Sequence, residues 1–139
     1  MPSIEGAGVT VVILVVEDHP LILMEIESGL EDAGFEVVRA KSAEIAIEVF
    51  DTDPSNIRAL VTDIRLGAGK CGWELAKYLR QAAPAMPVVY VSGDSALHWA
   101  KRGVPNSIMI SKPFAVAQIT TALATLLNQQ LPRDPGAPI

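Results

Sequence analysis

A chain of 139 residues, half apolar and 19% charged, fits one domain with a packed core; it leaves no room for a second domain of ordinary size and argues against global disorder. The net charge of −5 argues against nucleic acid as the main partner, because neutralising phosphates needs clustered Lys and Arg, and the densest basic spots are Lys101-Arg102 and the lone Arg133; no DNA-binding output domain is expected. The single cysteine, Cys71, excludes an internal disulfide or a multi-cysteine metal site and reads as a small inert thiol in a loop.

Met1-Pro2-Ser3-Ile4-Glu5 lacks the positive start of a secretory signal. The apolar run Val9–Val16 is far shorter than the ~20 residues of a membrane span, so a soluble cytoplasmic protein with no membrane partner is expected.

Residues 1–9 are expected to be flexible. Apolar runs then alternate with helical patterns, which predicts repeated strand–helix units around a mostly parallel sheet. The first strand is expected over about 10–16. A helix follows from Pro20, suited to a first turn, to Ala33, with Leu21, Met24, Ile26 and Leu30 among its apolar positions and Gly34 as its stop. Phe35–Ala40 is a more polar second strand, expected at an edge. Ser42 caps a helix whose Ile45, Ile47, Val49 and Phe50 recur on one side.

After a turn at Asp53–Asn56, the third strand spans 58–62. Gly67-Ala68-Gly69-Lys70-Cys71-Gly72 is a glycine-rich loop, followed by a helix from Trp73 to Ala83 and a fourth strand from Pro87 to Val91. A short helix begins near Gly93-Asp94-Ser95 and must stop by Gly103, because Pro105 follows. The fifth strand covers about 107–110 and the last helix runs from Phe114 to Gln130. Pro132 to Ile139, with three prolines and a glycine, is expected to be a disordered tail beyond a domain of residues 10–130. No internal repeat or low-complexity segment is present.

Charged residues sit just past these buried-strand runs: Glu17 and Asp18 after the first, Asp63 after the third, Lys112 after the fifth. Carboxyl ends of parallel strands open onto the crevice where ligands of such sheets bind. Carboxylates from two strand ends and a lysine from a third are suited to holding a divalent cation and a phosphoryl group together. Each fragment alone has a plainer reading: an acidic pair favoured by a helix N-terminus, a turn aspartate, a helix-entry serine, a Lys-Pro turn. Together, Val15-Val16-Glu17-Asp18, Thr62-Asp63, Val91-Ser92-Gly93 and Lys112-Pro113-Phe114 resemble the receiver domain of two-component response regulators over about residues 10–128.

The resemblance implies a flavodoxin-like, doubly wound α/β fold with a five-stranded parallel sheet in order 2-1-3-4-5 and helices on both faces. It implies that Asp63 accepts a phosphoryl group from a histidine kinase or a phosphotransfer protein. Mg²⁺, with Mn²⁺ as an alternative, would be held by Asp18, Asp63 and the Arg65 backbone carbonyl, with Glu17 acting through water. Lys112 and Ser92 would bind phosphoryl oxygens, and Pro113 would follow a cis peptide bond. A stand-alone receiver is expected, monomeric or weakly dimeric, acting on a downstream target as a switch or phosphate sink; it would be no enzyme beyond its own phosphorylation and dephosphorylation.

The chain departs from the family pattern in three places. The loop after Asp63 reads Ile64-Arg65-Leu66-Gly67-Ala68-Gly69 in place of the usual Met-Pro, which predicts greater mobility. The position commonly held by an aromatic switch is Met109. The stretch from Ser92 to Lys112 is about two residues short, which predicts an abbreviated fourth helix; within it, Trp99 reads as partly packed and His98, like His19, as a solvated ring. Arg65 and Asp94, each two positions past a site residue, are expected to pair across the mouth and slow loss of the phosphoryl group. Competing readings are a partner-binding receiver that is never phosphorylated, a serine hydrolase on the incomplete elbow Gly93-Asp94-Ser95-Ala96-Leu97, and an aspartyl phosphatase, which would want an acid where Arg65 stands.

Overall fold

The computed structural model describes residues 10–94 and 96–130. The segments expected to be flexible, 1–9 and 131–139, lie outside the described residues, as does Ser95. Five strands, β1 (Val12–Val16), β2 (Glu36–Ala40), β3 (Ala59–Asp63), β4 (Val88–Ser92) and β5 (Ser107–Ser111), form one parallel sheet in the order β2-β1-β3-β4-β5. The helices are α1 (Pro20–Asp32), α2 (Ala43–Thr52), α3 (Gly72–Ala82), α4 (Trp99–Arg102) and α5 (Val116–Gln130), with 3-10 turns at Pro54–Asn56 and Ala96–His98.

The strand sequences explain this arrangement. β1, β3 and β4 are buried along their whole length, as central strands covered on both faces must be. β2 keeps Glu36 and Arg39 exposed at the edge of the sheet. Alternation along the strands divides the core in two. Val12, Leu14, Val16, Leu60, Val88 and Tyr90 meet α2 and α3, whereas Ile13, Val15, Val61, Val89 and Val91 meet α1 and α5.

Two helix faces differ from the sequence expectation. In α1 the buried positions are Leu23, Ile26 and Leu30, while Leu21 and Met24 are 69% and 57% exposed. The run Leu21-Ile22-Leu23-Met24 is apolar at every position, so periodicity alone does not set its phase. In α2 the sheet-facing residues are Ala43, Ala46 and Phe50; Ile45 is exposed and Ile47 and Val49 are only partly covered. Small alanines let this helix lie close to the strands, which turns its larger aliphatics outward.

The capping expectations hold. Ser42 Oγ accepts from the Ile45 N–H, Pro20 opens α1, and Gly34 ends it at φ 97°. The fourth helix is a single turn closed at Gly103. It is fastened to β5 by Trp99 Nε1, which donates to Ser107 Oγ at 2.9 Å.

Candidate functional site

The site is assembled by backbone register before any side chain acts. Glu17 N–H donates to the Ala40 carbonyl beyond β1, Ile64 N–H to Val91 beyond β3, and Lys112 N–H to Ser92 beyond β5. These bonds continue the sheet ladder past the strand ends and bring Glu17, Asp63, Ser92 and Lys112 to one rim. Each is a polar residue ending or following a largely apolar strand, which is why the sequence showed them.

Glu17 is 1% exposed. Its Oε2 accepts from the His19 N–H at 3.1 Å and its Oε1 from Lys112 Nζ at 3.3 Å. Burial, with the nearby charge of Asp63, raises its pKa to about 7 against the pull of the His19 amide and Lys112. Lys112 Nζ also donates to Asp63 Oδ2 at 2.9 Å. Burial opposes the Lys112 charge, yet its hydrogen bonds and attraction to Asp63 and Glu17 hold its pKa above the ordinary value. Asp63 is itself buried, and its Oδ1 accepts from the Arg65 N–H at 3.3 Å.

Glu17, Asp18 and Asp63 bring carboxylate oxygens within 4.8 Å of one another, with Asp18 exposed at the opening. An all-oxygen, acidic set of this kind suits a small hard divalent cation, and its crowding makes a cation favourable. Beside it lies a cavity of about 370 Å³ lined by Asp63, Arg65, Ser92, Gly93, Asp94 and Lys112. Ser92 is buried and its Oγ accepts from the Asp94 N–H at 3.2 Å. Arg65 and Asp94 bridge the cavity mouth, with Nη2 2.7 Å from Oδ2. The Lys112–Pro113 peptide bond is cis. The structure thus brings Glu17, Asp18, Asp63, Arg65, Ser92, Asp94 and Lys112 together at one rim; the serine of the hydrolase reading lies outside the described residues.

Three supporting groups were not read in advance. Gly72 passes directly under Asp63: its N–H donates to the Ile64 carbonyl at 2.8 Å, and a Cβ there would strike the Asp63 carbonyl oxygen and Ile64 Cα. Glu44 accepts from the Lys70 N–H at 2.9 Å, giving the glycine-rich loop an anchor on α2. Cys71, read as a plain loop thiol, is the N-cap of α3, and its N–H is satisfied by Glu74 Oε1 at 3.0 Å. The glycine was visible but was taken as a mark of mobility.

The comparisons with known proteins agree with this geometry. The response regulator receiver domain model matches residues 13–124. The crystal structure of a response regulator receiver protein from Sinorhizobium medicae WSM419 superposes with a TM-score of 0.85 at 43% identity, covering 88% of this chain and 98% of its own. Among curated proteins, the phyllosphere-induced regulator PhyR of Methylorubrum extorquens is 22% identical over 88% of this chain and 45% of its own length. The sensor kinase CckA of Brucella abortus is 26% identical over 85% of this chain and 13% of its own length. The chain thus spans less than half the length of these two curated relatives. Among the described residues, no helix is long and apolar enough to cross a membrane.

Proposed function

The chain belongs to the response regulator receiver domain family, and from that premise we propose that it takes a phosphoryl group from a histidine kinase or a phosphotransfer protein onto Asp63 in an Mg²⁺-dependent reaction, and signals through protein contacts. The observation that carries this reading is the convergence of Glu17, Asp18, Asp63 and Lys112 at one rim, with the Lys112 ammonium on Asp63 Oδ2.

Asp63 attacks the phosphorus with a carboxylate oxygen. The O–P bond forms as the donor's N–P bond breaks, and the electron pair returns to the imidazole nitrogen, which takes up a proton. A carboxylate is a weak nucleophile toward an anionic phosphorus, so charge must be offset at the site. Asp18, Asp63 and the Arg65 carbonyl, with Glu17 through water, would hold Mg²⁺ or Mn²⁺, which would supply positive charge to offset the developing negative charge. Lys112 moves from the free carboxylate to a phosphoryl oxygen. Ser92 turns its hydroxyl toward another, drawing the loop after β4 inward.

The outcome is a biased switch and no released product. In this reading the chain is a cytoplasmic phosphoacceptor, a switch or phosphate sink, monomeric or weakly dimeric, and catalyses only its own phosphorylation and dephosphorylation.

Incubation with acetyl phosphate, with and without Mg²⁺, followed by intact mass tests the chemistry. An Mg²⁺-dependent gain of one phosphoryl group, absent in Asp63→Asn, is expected. No gain in wild type refutes the assignment and leaves a receiver that acts by binding alone; an undiminished gain in the variant refutes Asp63 as the acceptor.

A further inference from the structure

A second concavity, of about 530 Å³, lies between the loop following β3 and the α4 turn. Its floor is apolar: Ile64, Leu66 and Trp73 line it and are each packed into the core. Its rim carries the guanidinium groups of Arg65 and Arg102 and the ring of His98, all exposed. Arg102 is held there by stacking on the Trp73 ring, 5.9 Å from its centroid. None of the described residues lining this cleft is acidic, although the chain carries sixteen acids against eleven Lys and Arg.

We propose that this cleft seats an acidic segment of a partner protein, with one bulky apolar side chain on the floor and flanking carboxylates on Arg65, His98 and Arg102. The occupant follows from complementarity. An apolar floor ringed by guanidinium groups favours a peptide that offers an apolar anchor between anions, and carboxylates meet Arg with bidentate geometry. A nucleic acid would want a longer basic track than three side chains on an acidic protein.

The cleft is also coupled to the phosphorylation site, a point that rests on the function proposed above. Arg65 lines both cavities, and its guanidinium is paired with Asp94 at 2.7 Å. Converting the Asp63 carboxylate to an aspartyl phosphate adds roughly one net negative charge and three strong acceptor oxygens beside that pair, which compete for the same guanidinium. Arg65 therefore sits differently on the rim in the two states, and the acidic segment binds them with different affinity.

The test uses a random twelve-residue peptide library displayed on phage and panned against the whole chain, followed by a synthetic copy of the enriched sequence. Enriched peptides are expected to combine Asp or Glu with a bulky apolar residue, and to shift the amide resonances of Leu66, Gly67, Trp73 and His98. The double variant His98→Glu/Arg102→Glu should weaken binding at least about tenfold while phosphoryl uptake from acetyl phosphate is unchanged. If loss of the Trp73 stacking lowers the melting temperature of that variant, His98→Glu alone, on an exposed ring, carries the test. No enrichment, basic or charge-indifferent winners, shifts on another face, or undiminished affinity in the variant overturns the proposal. Equal affinity for the two phosphorylation states, with the phosphoryl group verified by mass, overturns the coupling through Arg65. A chain that fails to take up phosphate refutes the proposed chemistry instead, and binding to the unmodified chain still decides the cleft.

Discussion

The Lys112 ammonium lies 2.9 Å from Asp63 Oδ2 although 49 positions separate the two residues in the chain. The same nitrogen is 3.3 Å from Glu17 Oε1, so one cation serves two buried carboxylates from different strand ends. Removing it leaves converging acids with no counter-charge inside the fold, and a buried charge stripped of its partner is costly. Because the lysine side chain is 24% exposed, solvent softens the loss. Lys112→Met is expected to destabilise the metal-free protein by about 1–3 kcal/mol, with millimolar Mg²⁺ recovering much of the shift, and to slow phosphoryl uptake by roughly 100-fold. Thermal melts in EDTA and in Mg²⁺, with timed intact mass, measure both; an unchanged melt in EDTA would contradict the electrostatic account.

Glu17 gives the stability of the metal-free protein a defined pH dependence. Its pKa rises from 4.5 to about 7 on folding, chiefly through burial, so between those values the folded state binds more protons than the unfolded one. Stability must then fall as pH rises. The contribution is fully present below about 4.5, declines through the interval and is gone above about 7, amounting to at most about 3 kcal/mol. Urea titrations in EDTA should show the midpoint falling from pH 5 to 7.5, and Glu17→Gln should flatten the trend. Because the divalent ion needs the ionised carboxylate, stabilisation by Mg²⁺ should be greater at pH 7.5 than at pH 5.

The pair over the cavity mouth is expected to act on the lifetime of a phosphorylated state more than on stability. Arg65 and Asp94 are 76% and 55% exposed, and exposed pairs of this kind contribute about 0–1 kcal/mol. Bridging the opening beside Asp63, they would restrict the approach of water to a phosphoryl group held there. Arg65→Ala should shift the melting temperature by no more than a few degrees and shorten the half-life of the phosphorylated chain severalfold. Decay followed by intact mass after removal of acetyl phosphate gives the number; an unchanged half-life ends this role for the pair.

Most of the fold was legible because parallel strands write themselves as short, mostly apolar runs, and the site was legible because the first, third and fifth of these lead into charged residues. What stayed hidden belongs to phase and to contacts between distant segments. Leu21 and Met24 stood in a run with no polar residue to mark the outer face of α1. The aromatic absent at Met109 has a neighbour in register on the next strand, Tyr90, whose buried hydroxyl accepts from the Val104 N–H at 3.0 Å and whose ring lies 4.8 Å from Trp73. Nothing local to Tyr90 announces that bond, since its partner is 14 residues away. Glu44, 26 residues before Lys70, is hidden for the same reason.

Gly72 shows how a residue read for its freedom acts through its size. A methyl group there would collide with the Asp63 carbonyl oxygen and Ile64 Cα, backbone atoms that no rotamer change can move aside. The Gly72 N–H bond to the Ile64 carbonyl fixes the start of α3 against the end of β3, so relief must come from shifting one or the other. Overpacking against well-packed surroundings costs about 1–3 kcal/mol, and here the strain falls on Asp63, the proposed phosphoryl acceptor. Gly72→Ala should therefore lower both stability and the rate of phosphoryl uptake, the latter by more than tenfold even where the protein remains folded, because displacement of a reacting group by about 1 Å is enough to cost roughly 100-fold. Circular dichroism melts paired with acetyl phosphate kinetics separate the two effects. A variant that melts early yet is phosphorylated at the wild-type rate would show that α3 yields to the methyl group and that Asp63 stays where the sheet puts it.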